Sequence, residues 1–429
     1  MQLDEIYQIF LKNSLICTDT RKITPGCLFF ALKGEKFNGN TFAESALENG
    51  AAYAVIDEVV YKKSEKYILV NDVLKTLQDL SKLHRSQFKV PVIAIVGSNG
   101  KTTTKELITS VLSQKYKVLS TPGNFNNHIG LPLTLLMLEP KHEIAVIEMG
   151  ANHIGENAFL CELAMPTHGL ITNNGKDHLE GFGSIEGVAA SNSELYYYLL
   201  KNNGIAFVNA NDEWLMRMAN RLINKITYAA NFNTLNTNAD FVAYAKQLQP
   251  QIQFTFEDEI INSVLSGDYN FDNIIAAVAI GKYFSVEPKL IKNGIEIYKP
   301  QNLRSQIIET AKNKIFLDAY NANPSSMQAG LRNFANMPHK NKLVILGDMF
   351  ELGKYAETEH QAMVDLCKSL GLTKVILVGK EFSKTKTNYL NFVSTDQCKE
   401  YLAKSNVCNE FIFIKGSRGM KLESLTEVL

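Results

Sequence analysis

The sequence predicts an α/β protein of three domains, and three observations carry that reading. At 429 residues the chain exceeds what one ordinary hydrophobic core organises. From Lys89 onward short apolar runs alternate with helical segments, the pattern of a largely parallel sheet covered on both faces. Near Arg304 the alternation restarts with four further apolar runs, which predicts a second open α/β sheet. The boundaries are placed at 1–88, 89–303 and 304–429.

The first unit mixes short strands and helices. Leu3, Ile6, Tyr7, Phe10 and Leu11 fall on one face of an opening helix. CLFFALKG and AAYAVID read as strands, and TFAESALENG as a helix ending at Gly50. In the central unit VIAIVG is followed by a helix through KELITSVLSQKY, and AVIEMG, HGLITN and GIAFVN repeat the buried-strand pattern. SIEGVAASNSELYYYLL reads as helical or loop sequence between them. The polar stretch from Phe241 to Glu257 reads as an antiparallel excursion, and NFDNIIAAVAIGKYF as an amphipathic helix. KIFLDAY, KLVILGDM, KVILVG and FIFIKGS are the four strands of the last unit.

Composition narrows the class of function. Lys plus Arg and Asp plus Glu both number 44, so no global field favours nucleic acid or an anionic membrane. No stretch approaches the roughly 18 apolar residues of a membrane span, and MQLDEIYQIFLK lacks the form of a signal peptide. Six cysteines lie scattered without CxxC spacing, which predicts reduced, structural thiols in a cytosolic protein.

The strongest chemical signal is VIAIVGSNGKTTTKE at 92–106. A buried strand runs through Gly97, Ser98, Asn99 and Gly100 into a helix that opens with Lys101, Thr102 and Thr103. Glycines let backbone N–H groups turn onto phosphate oxygens, and the helix N-terminus adds positive potential. Lys101 is placed to reach the outer phosphates and Thr102 to offer a hydroxyl to Mg²⁺. The full nucleotide-loop pattern has glycine where this chain has Ile95, so the loop is a variant. Glu148, at the end of AVIEMG, is the candidate metal carboxylate, and His178 in TNNGKDHLEGFG joins it in a metal-and-phosphate constellation. In the last unit DAYNANPSSM, GDMFELG and KGSRGMKLE each follow an apolar strand, where open α/β sheets bind ligands. Asp318 suits ribose hydroxyls, and Asn321 and Asn323 suit amide or carboxylate groups.

These segments, with TDTRKITPGCLFFALKGEKFNGNTF, TPGNFNNHIGLPLTLL, IEMGANHIGE and LSGDYNFDNIIAAV, resemble the Mur ligase family over nearly the whole chain. GNFNNHIG, DAYNANPSS and GDMFELG are most similar to the members that act on UDP-N-acetylmuramoyl-tripeptide and D-alanyl-D-alanine. The resemblance implies a UDP-substrate domain, a central ATP domain and a Rossmann-like ligase domain that closes over the site. It implies ATP and Mg²⁺, and a peptide carboxylate activated as an acyl phosphate before an amine attacks it. A cytoplasmic monomer is expected.

Matched position by position, Lys101 and Thr102 resemble the phosphate and magnesium residues, and Glu148 and His178 the magnesium ligands. Asn273 falls near adenine, Arg304 near the γ-phosphate and Asp318 near ribose. Thr20 and Arg21 fall in the uridine-nucleotide region, and Asn126, Asn127 and Asn321 in the peptide cleft. Asp348 and Lys415 fall on the last domain's nucleotide and dipeptide face.

The chain departs from the family pattern at three places. Asn192 stands where the family has a lysine carbamylated by CO₂, Asp177 where it has a small residue, and Leu303 where it has asparagine. A carboxamide forms no carbamate, so either activity is lowered or Asp177 supplies the missing negative charge. The competing readings are another ligase of this type such as folylpolyglutamate synthase, a P-loop kinase, and a weak nucleotide-binding protein.

Overall fold

The computed structural model describes residues 1–231 and 238–429. Its N-terminal unit is a four-stranded parallel sheet in the order Ile16–Cys17, Leu28–Phe30, Tyr53–Ile56 and Tyr67–Leu69. The helix Leu3–Asn13 buries Ile6 and Phe10 against Leu77 and Leu80 of the helix Val73–Ser86. Leu11, expected on that face, is instead 47% exposed because it lies at the outer margin of the apolar stripe. Arg85 is buried and donates to the carbonyls of Phe88, Ala164 and Met165, which fastens this unit to the central one.

Among the described residues the central sheet has nine strands. The phosphate-loop strand Val92–Val96 lies between His168–Ile171 and Ile144–Glu148, parallel to both. Val118–Ser120 closes one edge, and Ile205–Asn209, Lys225–Asn231 and Phe241–Gln247 extend the other, still in parallel. Phe241–Gln247 is parallel to Lys225–Asn231 but antiparallel to Gln253–Phe256, so the expected antiparallel excursion is present and continues into Glu259–Asn262. The helix Asp268–Tyr283 departs from expectation. It is apolar nearly all round, since every residue from Asn273 to Gly281 is buried where it packs beside the phosphate-loop helix Lys101–Leu112.

The C-terminal sheet has the order Gln306–Glu309, Lys314–Asp318, Phe411–Lys415, Lys342–Gly347, Val375–Val378 and Leu390–Phe392, with the first strand antiparallel. The two edge strands carry too few buried side chains to read as apolar runs. Among the described residues no helix is long and apolar enough to cross a membrane. All six cysteines are free, and only Cys408 is exposed.

Candidate functional site

Parallel pairing puts the carboxyl ends of three adjacent central strands on one edge of the sheet. Ile95 pairs with Glu148, and the Thr172 N–H donates to the Val96 carbonyl at 2.9 Å. The loops that follow all open into a cleft of about 620 Å³, whose opposite wall is the C-terminal sheet.

The phosphate loop is braced from behind by the segment after Ile171. Asn99 N–H donates to Asn173 Oδ1 at 3.0 Å, and Thr172 Oγ1 and Asn173 Nδ2 donate to the Asn99 carbonyl at 2.7 and 2.9 Å. Two of the loop's glycines are required by geometry. At Gly97, φ is 129° and a Cβ would lie 2.3 Å from Thr172 Oγ1; at Gly100, φ is 78° and a Cβ would lie 2.5 Å from Asn273 Oδ1. Asn273 in turn accepts from Thr104 Oγ1 at 3.0 Å, so the helix bearing Asn273 presses on the loop. Lys101 folds over the loop, its Nζ bonded to the carbonyls of Gly97 and Ser98.

Glu148 organises the other side of the loop. Its Oε1 accepts from Asn126 Nδ2 at 2.8 Å and from Thr102 Oγ1 at 3.2 Å. Its Oε2 is buried without a hydrogen-bond partner, 3.8 Å from Lys105 Nζ. Lys105, unremarked in the sequence, is itself buried and donates to the Thr121 carbonyl at 2.9 Å. Among the described residues no group of three His, Cys, Asp or Glu side chains could hold a metal. Mg²⁺ binds through one or two carboxylates and completes its shell with phosphate oxygens and water. An unpartnered carboxylate oxygen beside the phosphate loop fits that demand.

The facing wall is cationic. Arg304 stacks its guanidinium 3.8 Å over the Tyr320 ring, and its buried Nε has no hydrogen-bond partner. Lys415 Nζ meets Asp318 Oδ2 at 2.5 Å and the Asn321 carbonyl at 3.3 Å. Asp318 Oδ1 accepts the Ser305 N–H at 3.2 Å, so this carboxylate is already held by two partners. Asn323 caps the helix Pro324–Asn336 and reaches across the cleft to Asn99 Oδ1 at 2.8 Å. His178 lies where the walls meet, its Nδ1 2.5 Å from Glu351 Oε2, and this pairing holds the Glu351 carboxyl below its usual range.

Ser98 to Thr103, Asn126, Asn127, Glu148, His178 and Asn273 line the central wall, while Arg304, Asp318, Asn321 and Lys415 line the other. Gly97 sits beneath the loop. Asn127 Oδ1 also accepts the N–H groups of Ile129 and Gly130, just ahead of the helix Gly130–Leu135. Thr20 and Arg21 lie on a short turn of the N-terminal unit outside this cleft, with Arg21 paired to Asp19 at 2.7 Å.

Asp348 lies apart from the other candidates. It is buried outside the cleft, accepting the N–H groups of Glu381 and Phe382 at 2.9 Å each, with His360 Nε2 3.6 Å away. Its carboxylate ties a strand end to a neighbouring loop within one domain. Asp177 is likewise turned from the cleft: it is buried and accepts from Ser98 Oγ at 2.6 Å, while Asn192 donates to Asn174 Oδ1 at 3.1 Å. The sequence reasoning also passed over Asp272 on the cleft margin, whose carboxyl is pushed up to about 7 by burial. A charged residue within a buried helix was the available signal.

Comparison with known proteins accounts for the arrangement. Residues 13–96 match the Mur ligase family catalytic domain, 95–281 the Mur ligase middle domain, and 303–407 the Mur ligase glutamate ligase domain. The UDP-N-acetylmuramoyl-tripeptide--D-alanyl-D-alanine ligase of Bacillus subtilis is 36% identical over 96% of this chain and 92% of its own. The ligase of the same name from Escherichia coli is 35% identical over 96% of this chain and 93% of its own. Crystal structure I of MurF from Acinetobacter baumannii superposes with a TM-score of 0.83 at 29% identity, over 96% of this chain and 92% of that one. MurF ligase from Thermotoga maritima in complex with ADP superposes with a TM-score of 0.82 at 26% identity, over 97% of each chain. With each domain matched in order and the similarity running almost end to end, this chain belongs to the Mur ligase family.

Proposed function

We propose that this protein is an ATP-dependent ligase that joins D-alanyl-D-alanine to UDP-N-acetylmuramoyl-tripeptide in cell-wall precursor synthesis. The observation that carries the reading is the cleft itself: a phosphate loop beside Glu148, one of whose oxygens has no hydrogen-bond partner, faces the cations Arg304 and Lys415. A carboxylate is a poor acyl donor, and phosphorylation gives it a leaving group. The tripeptide carboxylate attacks the γ-phosphorus of ATP and ADP departs; the dipeptide amine then attacks the acyl carbon and expels phosphate.

Lys101 and Arg304 supply positive charge at the transferring phosphoryl group from opposite walls. Thr102, Glu148 and His178 are the residues that would hold Mg²⁺, whose chemistry here is neutralisation of phosphate charge. Contacts between the central and C-terminal domains exclude water that would hydrolyse the acyl phosphate. We assign residues 1–88 to the UDP-linked substrate, 89–303 to ATP and 304–429 to the ligase domain that completes the cleft. The enzyme is read as cytoplasmic, in keeping with its free thiols, and as a monomer.

The test is ADP release with UDP-muramoyl tripeptide, with and without the dipeptide, using ¹⁸O in the peptide carboxylate. Label in the released phosphate is expected. AMP and pyrophosphate, or sustained multiple-turnover ADP release without any amine substrate, would remove the reading. Asn192 favours one further reading, a weak nucleotide-binding protein; normal ATP binding without turnover on any tripeptide would select it.

A further inference from the structure

The pairing of His178 with Glu351 spans the seam between the central and C-terminal domains. Both are non-glycine residues in the left-handed region, at φ 44° and 61°. Such backbone persists where its surroundings hold it, and here the holding groups come from across the seam. Glu180 N–H donates to the Glu351 carbonyl at 3.1 Å, Tyr355 Oη donates to the Gly183 carbonyl at 3.3 Å, and Leu179 packs into the C-terminal core. A second ion pair, Lys176 to Glu359 at 2.6 Å, lies on the same seam. With Nδ1 engaged, Nε2 is the ring nitrogen left for a ligand in the cleft. A carboxylate on the far nitrogen fixes tautomer and ring plane and makes the near nitrogen a better donor.

We propose that Glu351 is a positioning residue, which sets the His178 ring from across the seam so that the C-terminal domain completes the divalent-cation site of the central domain. This rests on the reading of His178 as a Mg²⁺ ligand. Domain closure and cation-site assembly are then one event.

The experiment titrates Mn²⁺ into the full-length protein at saturating ADP and reads free Mn²⁺ by electron paramagnetic resonance. Glu351→Gln, whose side chain is half exposed and whose loss does not empty a core, should weaken Mn²⁺ binding roughly tenfold or more. His178→Gln should weaken it at least as much. Glu359→Gln, which breaks the other ion pair on the seam, should change it less than twofold. Glu351→Asp should recover part of the loss. A loss in His178→Gln with none in Glu351→Gln overturns the positioning role and leaves the ligand standing. No loss in either overturns both, and equal losses in Glu351→Gln and Glu359→Gln reduce Glu351 to a strut and overturn the proposal.

Discussion

Ser98 Oγ donates to Asp177 Oδ1 at 2.6 Å while accepting the Gly175 N–H at 2.9 Å, so one hydroxyl knits the phosphate loop to the segment that leads into His178. Both side chains are buried. The Asp177 carboxylate is thereby engaged by the phosphate loop and does not line the cleft.

Removing that acceptor should loosen the loop. A hydrogen bond to a charged group contributes about 1.5–3 kcal/mol, so Asp177→Ala should weaken ADP binding roughly tenfold by calorimetry. Asp177 bonds Ser98 and Asn192 bonds Asn174, with no shared partner. The same loss is therefore expected in an Asn192→Lys background. A loss that vanishes in that background would restore Asp177 to charge compensation at the cation site.

Gly100 offers a steric test of the loop. Gly100→Ala places a Cβ 2.5 Å from Asn273 Oδ1 at φ 78°, whereas Gly123→Ala, at φ 50°, meets nothing within 4 Å. Backbone strain alone costs about 1–2 kcal/mol. Denaturant melts should show that cost for Gly123→Ala and a larger one for Gly100→Ala, with ADP binding lost only in the latter. Equal melts would mean Asn273 gives way.

Lys101→Ala should lower kcat roughly 10²-fold or more with the fold retained, because it removes a cation aimed at developing phosphoryl charge. Near-normal turnover in a folded variant would take Lys101 out of the chemistry and leave it as a tie for the Gly97 and Ser98 carbonyls.

The site residues divide by how local their determinants are. Gly97, Gly100, Lys101 and Thr102 were legible because glycine spacing between a strand and a helix constrains backbone within a few residues. The alternation of apolar runs marked both large sheets for the same reason. Glu351 and Lys105 were not legible as site residues, since their partners are His178, 173 residues away, and a strand end 43 residues away. At Asp348 the sequence is silent on surroundings, because a carboxylate after a strand has the same local sequence whether it faces a ligand or accepts two backbone N–H groups, as it does here. Phe241–Gln247 joined the sheet in parallel because Lys225–Asn231 offered a free edge, which polarity within the stretch does not encode.

Closure can be disturbed at the seam. Glu359 is largely buried against Lys176, so Glu359→Lys sets two cations together at the domain junction. Like charges placed together at an interface oppose its formation, an effect softened here because Lys176 is half exposed. Small-angle scattering should show a larger radius of gyration with ATP and tripeptide present, and turnover should fall in parallel. An unchanged radius would mean the remaining contacts suffice to hold the domains together.

Asp272 ties stability to pH. Burial pushes its carboxyl up to about 7, against the pull of a hydrogen bond with Asn209, and the charges of Asp268 and Asp212 push the same way. In an unfolded chain the same group titrates near 3.9. The folded state therefore binds a proton between about pH 4 and 7 that the unfolded state has released. Stability from this group is fully present below about pH 4 and is lost as pH rises through about 7. A tenfold difference in proton affinity between the two states corresponds to about 1.4 kcal/mol, and contact with water at the cleft margin reduces the whole effect to about 1–3 kcal/mol. Asp272→Asn keeps the shape and a hydrogen-bonding group but cannot ionise. Against wild type it should gain stability at pH 8 relative to pH 5, as read from thermal melts of both proteins. Parallel curves for the two between pH 4 and 8 would mean that water reaches Asp272 and that it ionises as an ordinary carboxylate.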